Sequence, residues 1–413
     1  MSDTTKAGPL SGFRVLDFSQ AMAGPFAAQK LGDMGADVIK IEPTGQGEWH
    51  RTRPAADAWV NKHNSSFLAF NRNKRSLSID LKKPPARDVI ARLAESADVV
   101  LTNFRPGVAE RLAMDYETLS AINPRLVYCS ISGYGATGPY ARRPGQDLIL
   151  QGISGALWNT GRLGDPPHPC ALFVADATAS HLAVEGIVAA LLWRERGGTG
   201  QLVEVNMLEG MIDLQAQELS VYLTGGIVPT RTQEPLAHTL LTAPYGIYET
   251  ADGYMTVSIG PINVLGDLLG DDVLRSMDDW GDGMRHRDEI YRRVAQALRA
   301  RPTADWLERF DEAGYWAGPV LNYEQLLADP QVEHNGTFIE IEHPTEGTLK
   351  LPGIPIRFAG SPGTIRRHQP DVGEHSAEVL TEAGLSAEEI ALLHESGAVA
   401  LAADADAHAP ANG

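Results

Sequence analysis

The sequence predicts an α/β fold: a large, open, doubly wound parallel sheet joined to a smaller α+β domain. Three observations predict it. The apolar run Phe13-Arg-Val-Leu-Asp-Phe18 leads through a helical segment to a second run, Ala36-Asp-Val-Ile-Lys-Ile41, which makes a compact βαβ unit. The same alternation of short apolar runs and helical spacing repeats as far as Ile131. The pattern then changes near Gly225, where short alternating segments flank an Asp-Gly turn.

The elements follow in order. Pro25 suits the first turn of a helix, where its missing N–H costs nothing. Phe26, Leu31 and Met34 recur at helical spacing, and Gly32 and Gly35 flank the helix end. Strands are expected at Ser76–Leu81, Asp98–Thr102 and Leu126–Ile131, with helices at Ala86–Ser96 and Tyr116–Ile122 between them. Asp176–Arg196 reads as a strong helix with an apolar stripe through Leu182, Ile187, Val188, Leu191 and Leu192, closed by Gly197-Gly198. A strand at Gln201–Val205 and a helix from Leu208 to Leu223 follow. Tyr245–Glu249 and Tyr254–Ser258 form a hairpin around Ala251-Asp-Gly253. Helices at Asp288–Arg299 and Thr303–Ala313 complete the smaller domain, and Leu351–Phe358 is extended and punctuated by proline. Ser386 and Glu389 stand in the spacing of a capping box.

At ~150 residues per domain, a chain of 413 residues has room for two or three. Its 43% hydrophobic and 21% charged residues are ordinary for a globular protein. The formal net charge of −18 argues against nucleic acid or an anionic membrane as partner, since both require a cationic face. No apolar run reaches the ~18 residues of a membrane helix, and Met1–Leu10 lacks the pattern of a signal peptide. Two distant cysteines, Cys129 and Cys170, support neither a disulfide framework nor a zinc site. A cytoplasmic location is expected.

The charge is uneven. Residues 371–413 hold nine acids and no Lys or Arg, whereas Asn71–Arg92 holds seven basic residues against two acids. That basic stretch reads either as a solvated surface or as a landing site for a phosphorylated small molecule. Arg105 and Arg111, after the Asp98–Thr102 strand, are placed to converge on the same crevice. No GxGxxG follows the first strand, and no GxxxxGK[ST], HExxH or GxSxG occurs. Asp176 opens the long helix after Ala171-Leu-Phe-Val-Ala175. It serves either as the N-cap of that helix or as a nucleophile toward an activated acyl group, with small residues leaving helix N–H groups open for an oxyanion. Isolated Trp158, Trp193, Trp316 and Tyr315 read as packing residues.

Together these stretches resemble the family III CoA-transferases, the CaiB/BaiF family, which also includes the α-methylacyl-CoA racemases. The likeness runs from Leu10 to Ala398. It rests on Leu10–Phe18, Ala23-Gly-Pro25, Leu31–Glu42, Asn73-Lys-Arg-Ser76, Ala97–Gly107, Asn123–Tyr128, Ser132-Gly-Tyr-Gly-Ala-Thr-Gly-Pro139 and Gly373-Glu-His375. The resemblance implies that Asp176 is the catalytic nucleophile. It implies CoA contacts at Met22, Ala23, Ile79, Asp80, Leu81, Lys82, Asn103, Phe104, Arg105, Arg111, Gln146 and Asp147. Where formyl-CoA transferase-like members carry a glutamine and an arginine, this chain has Met22 and Pro43.

The resemblance further implies a Rossmann-like large domain built from both chain ends, 1–224 and 335–400, around a small domain, 225–334, with a flexible tail at 401–413. Two subunits are expected to interlock as a homodimer. The implied reaction moves CoA from an acyl-CoA thioester to a carboxylic acid through a covalent aspartyl intermediate, with coenzyme A as substrate, no metal and no nucleotide triphosphate. A helix N-terminus beside Asp176 would favour its ionised form. The alternatives are racemase-like proton transfer or a non-catalytic acyl-CoA-binding protein. The racemases carry a His where this chain has Gln146, and an acid absent here from Val257–Asn263.

Overall fold

The computed structural model describes residues 8–53, 55–278 and 281–402. Most of the 401–413 tail lies outside them. The chain gathers into two compact units, one from residues up to 147, 173–210 and 333 onward, the other from 148–172 and 211–332. These limits differ from a division at 224 and 335. Gln215 Nε2 donates to the Ser154 carbonyl at 3.3 Å, tying 211–224 to the 148–172 segment.

The first unit is built on a sheet of β1 (Arg14–Asp17), β2 (Asp37–Glu42), β3 (Lys74–Ile79), β4 (Val99–Thr102), β5 (Val127–Ser132), β6 (Leu202–Asn206) and, from the far end of the chain, β7 (Val399–Ala400). Their spatial order is β7-β3-β2-β1-β4-β5-β6. All neighbours are parallel except β7, which runs antiparallel to β3 with Val399 opposite Ile79. The fold is therefore mixed α/β around a sheet that is parallel but for one edge.

The helices used below are α1 (Ala23–Asp33), α2 (Pro84–Glu95), α3 (Val174–Glu195), α4 (Ser376–Glu382) and α5 (Ala387–Glu395). Leu16, Ile39, Leu77 and Val100 share one core with Val89, Ile90 and Leu93 of α2, Val379 and Leu380 of α4, and Ile390 of α5. Side chains of opposite parity face α1: Lys74 Nζ reaches the Pro25 carbonyl at 3.0 Å. Both sheet faces are thus covered, as a parallel sheet requires. The Ser386–Glu389 capping box forms with both of its hydrogen bonds.

α3 is long and apolar enough to cross a membrane by length and composition alone. Here it packs on α1, β5 and β6. Ala175, Ala179, Ala183, Ile187, Ala190 and Leu191 are buried, while Val188, Leu192 and Trp193 are exposed. The expected helix from Leu208 to Leu223 is two, Met207–Asp213 and Ala216–Leu223.

The second unit has the expected hairpin, Gly246–Glu249 against Tyr254–Val257, extended by Ala317–Pro319. Its own core holds Tyr248, Met255, Ile262, Leu265, Ile290, Val294, Leu298, Trp306 and Phe310. Tyr315 is packed there, but Trp158, Trp193 and Trp316 are 59–72% exposed, so the packing reading fails for all three tryptophans. In the first unit, Phe338–His343 and Gly347–Pro352 pair as a hairpin, and the stretch Leu351–Phe358, expected to be extended, begins with the last two residues of its second strand.

Candidate active site

β1 lies between β2 and β4, so the connections after β1 and β4 leave in opposite directions. The carboxyl ends of such strands frame a crevice in which α/β proteins bind ligands. Asn103, just past β4, spans it. Its Oδ1 accepts the Gln20 N–H at 2.9 Å and its Nδ2 donates to the Gln20 carbonyl at 2.7 Å.

Asp176 lies in the first turn of α3, but it is not the cap. Phe173 occupies the N-cap position and makes no side-chain cap bond. Asp147 does that work instead: its Oδ1 accepts the N–H of Ala175 at 2.7 Å and of Asp176 at 3.2 Å. Those two N–H groups, expected to lie open for an oxyanion, are therefore occupied. Relieved of capping, the Asp176 carboxyl faces the backbone N–H of Ala23 at the start of α1, a helix with no side-chain cap of its own. One turn along α3, Ser180 Oγ lies 2.7 Å from the Ala23 carbonyl, which ties the two helix starts together.

Burial pushes the Asp176 carboxyl up to about 6, Asp147 adds repulsion, and the Ala23 N–H opposes both. The expected lowering by the helix N-terminus does not prevail: burial outweighs it, and a second carboxylate on that terminus adds to the rise.

Glycines allow the close approaches. A Cβ on Gly24 would stand 2.1 Å from the Ser19 Cβ, so only glycine lets the first turn of α1 lie against the preceding loop. A Cβ on Gly133 would meet the Gly145 Cα at 2.8 Å. That contact pinches together the ends of the loop that delivers Gln146, which is exposed, and Asp147.

Beneath the loop after β1 lies a network of buried charge. Asp17 pairs with Lys74 at 3.0 Å, and Lys40 with Glu48 at 3.2 Å. Asp17, Lys40 and Lys74 are 0% exposed and Glu48 1%. Burial raises the Asp17 carboxyl, but Lys74 and Lys40 overrule it and hold it below its ordinary range. Burial lowers the Lys74 ammonium to about 8 against the pull of Asp17. The sequence carried a signal for this network: Asp17, Lys40 and Lys74 interrupt strands that are otherwise buried, and a buried charge has to be paired.

Of the seven basic residues of Asn71–Arg92, three are buried, Arg72, Lys74 and Arg75. Arg72 is buried on Asp33 at 2.8 Å, Lys74 on Asp17, and Arg75 on Asp37, Glu378 and Glu382. Arg92 meets Glu389 and Lys83 the Ser396 carbonyl. These five are not available as a phosphate landing site. Lys82, past β3, and Arg105 and Arg111, past β4, are exposed and make no ion pair among the described residues. Polyanionic phosphates require such free cations.

The other expected CoA contacts divide. Met22 and Ala23 open α1 beside Asp176. Ile79 is fully buried and Leu81 packs on the core. Asp80 donates its N–H to the Ala398 carbonyl at 2.9 Å and accepts the Lys82 N–H at 3.1 Å. Phe104 packs against Phe18, ring centroids 6.4 Å apart.

Comparison with known proteins agrees with the mixed α/β fold. The CoA-transferase family III model matches residues 10–376. The chain is 32% identical over 388 residues to human succinyl-CoA:glutarate CoA-transferase, covering 92% of this chain and 87% of that one. It is 35% identical over 386 residues to succinate–glutarate CoA-transferase of Agrobacterium fabrum, covering 91% and 95%. A crystal structure of a CaiB/BaiF family protein from Brucella suis superimposes with a TM-score of 0.79 at 32% identity, over 91% of this chain and 100% of that one. The chain belongs to CoA-transferase family III.

Proposed function

We propose that this protein moves CoA from a donor acyl-CoA to an acceptor carboxylic acid through a covalent intermediate on Asp176. The observation that carries the reading is the Asp176 carboxyl, freed from capping by Asp147 and faced by the Ala23 N–H in the crevice at the strand ends. The ionised carboxylate attacks the thioester carbonyl, forming a mixed anhydride and expelling CoA thiolate. The thiolate attacks the aspartyl carbonyl, releasing the donor acid and leaving an aspartyl-CoA thioester. The acceptor carboxylate attacks that thioester, expelling thiolate again and forming a second mixed anhydride. Attack of the thiolate on its acyl carbonyl yields the new acyl-CoA and regenerates Asp176. Each step conserves the acyl activation, so no nucleotide triphosphate is consumed.

First-turn N–H groups of α1 supply donors for the oxyanions, replacing those of α3. Lys82, Arg105 and Arg111 hold the CoA phosphates. The names of the human and Agrobacterium relatives pair succinyl-CoA or succinate with glutarate, which supports succinyl-CoA as donor and a small dicarboxylate as acceptor. The protein acts as an interlocked homodimer; the exposed Val188, Leu192 and Trp193 on α3 are suited to a subunit contact.

The test offers succinyl-CoA or acetyl-CoA against a panel of carboxylic acids and detects new thioesters by mass. The mass of intact protein is followed with donor alone. Wild type gains an adduct and Asp176→Ala does not. Transfer by Asp176→Ala at the wild-type rate overturns the reading. So does deuterium at the α-carbon of a 2-methylacyl-CoA incubated in D₂O without acceptor.

A further inference from the structure

In the loop Ser19–Ala21, five main-chain polar groups are held by side chains, four of these bonds reaching from distant positions in the first unit. The Ser19 N–H goes to Asp17 Oδ1 at 3.0 Å, and the Ser19 carbonyl to Lys40 Nζ at 3.2 Å. The Gln20 N–H and carbonyl both go to Asn103. The Ala21 N–H goes to Glu48 Oε2 at 2.9 Å. Ala21 has φ +64°, in the left-handed region that a non-glycine residue adopts only when its surroundings enforce it. It is also the residue immediately before Met22 and the first turn of α1.

Glu48 is itself immobilised. Its Oε1 faces Lys40 at 3.2 Å and its N–H donates to Glu42 Oε2 at 3.1 Å. The short helix it precedes, Trp49–Thr52, is pinned twice more. Arg51 grips Glu42 through Nε and Nη2 at 2.8 and 2.7 Å, and Asn64 Nδ2 donates to the His50 and Arg51 carbonyls, each at 2.7 Å. A carboxylate that only balanced the Lys40 charge would not need its second oxygen on the N–H of a left-handed alanine.

We propose that Glu48 is a positioning residue for the transfer reaction: it fixes the left-handed turn at Ala21, and through it aims the Ala23 N–H at the Asp176 carboxyl. Glu48 bonds the Ala21 N–H, Lys40 and Glu42, not Asp176. It acts through two residues of main chain, with Lys40 as its counter-charge. The inference rests on Asp176 being the nucleophile, as proposed above.

The groups facing Asp176 are the Asp147 carboxylate and the Ala23 N–H. Withdrawing the N–H removes the one contact that favours the ionised nucleophile. The test variant is Glu48→Asp, which keeps the charge beside Lys40 but is one methylene too short for the Ala21 N–H. Glu48→Gln keeps the reach and an acceptor oxygen. With succinyl-CoA as donor, Glu48→Asp is expected to lower kcat at least tenfold while the KM for acyl-CoA stays within threefold. The acid limb of its pH–rate profile moves to higher pH. Glu48→Gln restores the wild-type limb. Loss of folded protein alone would scale the rate without moving the limb. The wild-type kcat and limb in folded Glu48→Asp would overturn the proposal, as would a limb displaced equally in both variants. Asp176→Ala, assayed alongside, separates the two readings: its retained activity refutes the nucleophile, whereas its inactivity beside a normal Glu48→Asp refutes only the positioning.

Discussion

Asp147 Oδ1 accepts the backbone N–H of Asp176 at 3.2 Å, so one carboxylate caps the helix that presents the other. The cap and the repulsion come from the same group, and substitution separates them. Asp147→Asn keeps an oxygen for the Ala175 and Asp176 N–H groups and removes the charge. With the Asp176 carboxyl at about 6, the wild-type transfer rate should climb with pH through that value and level off above it. In Asp147→Asn the acid limb should move to lower pH. Initial rates between pH 4.5 and 8.5 decide this, and an unmoved limb contradicts the repulsion.

Asp176 should also cost the fold stability where it is ionised. Its folded value, about 6, lies above its ordinary 3.8, so its stabilising contribution is complete below pH 3.8 and lost as pH rises through 6. Asp176→Asn, which never ionises, should therefore gain on wild type over that window. The gain is on the order of 3 kcal/mol at pH 8. Urea unfolding at pH 5 and pH 8 measures it, and an equal difference at both values counts against it.

Asn103→Ala removes both hydrogen bonds to Gln20. The loss in stability should be about 1–3 kcal/mol, since it strands backbone groups at the crevice. Because Gln20 precedes the turn that leads into α1, transfer activity should fall further than stability does. Paired thermal melts and rate measurements compare the two, and full activity in a destabilised protein would refute the coupling.

Lys82→Ala, Arg105→Ala and Arg111→Ala should raise the KM for acyl-CoA about 3–30-fold each with little change in kcat, and flatten its salt dependence. Neutralising Arg72 or Arg75, by contrast, should harm stability, because each is locked on partner carboxylates. Titrating KM against salt in all five variants sorts binding cations from structural ones.

That contrast marks how far the sequence could be read. Apolar periodicity located the sheet strands within a residue or two, from β1 to β6, because a parallel sheet covered on both faces needs continuous apolar runs. Charge counting misjudged Asn73-Lys-Arg-Ser76. Asn73 binds Asp33 and the Thr364 carbonyl, Lys74 goes to Asp17, Arg75 to Asp37, Glu378 and Glu382, and Ser76 to Glu42. Nothing local reveals that these partners, some about 300 positions away, will be there. Asp176 was legible as a functional candidate from its motif. Its environment was not, because Asp147 is 29 positions distant and only folding brings it to the helix start.

The antiparallel strand β7 has a consequence for the order in which the chain can fold. β3, made in the first fifth of the sequence, is bordered on one side by β2 and on the other only by Val399–Ala400. During synthesis that flank of β3 stays open until Val399 and Ala400 have emerged. The second unit, with its own core, has all its residues by position 332. An exposed strand flank invites pairing with other chains. The nascent protein therefore carries an open strand flank while its inserted unit is already complete, and Val399–Ala400 act as a closing stitch.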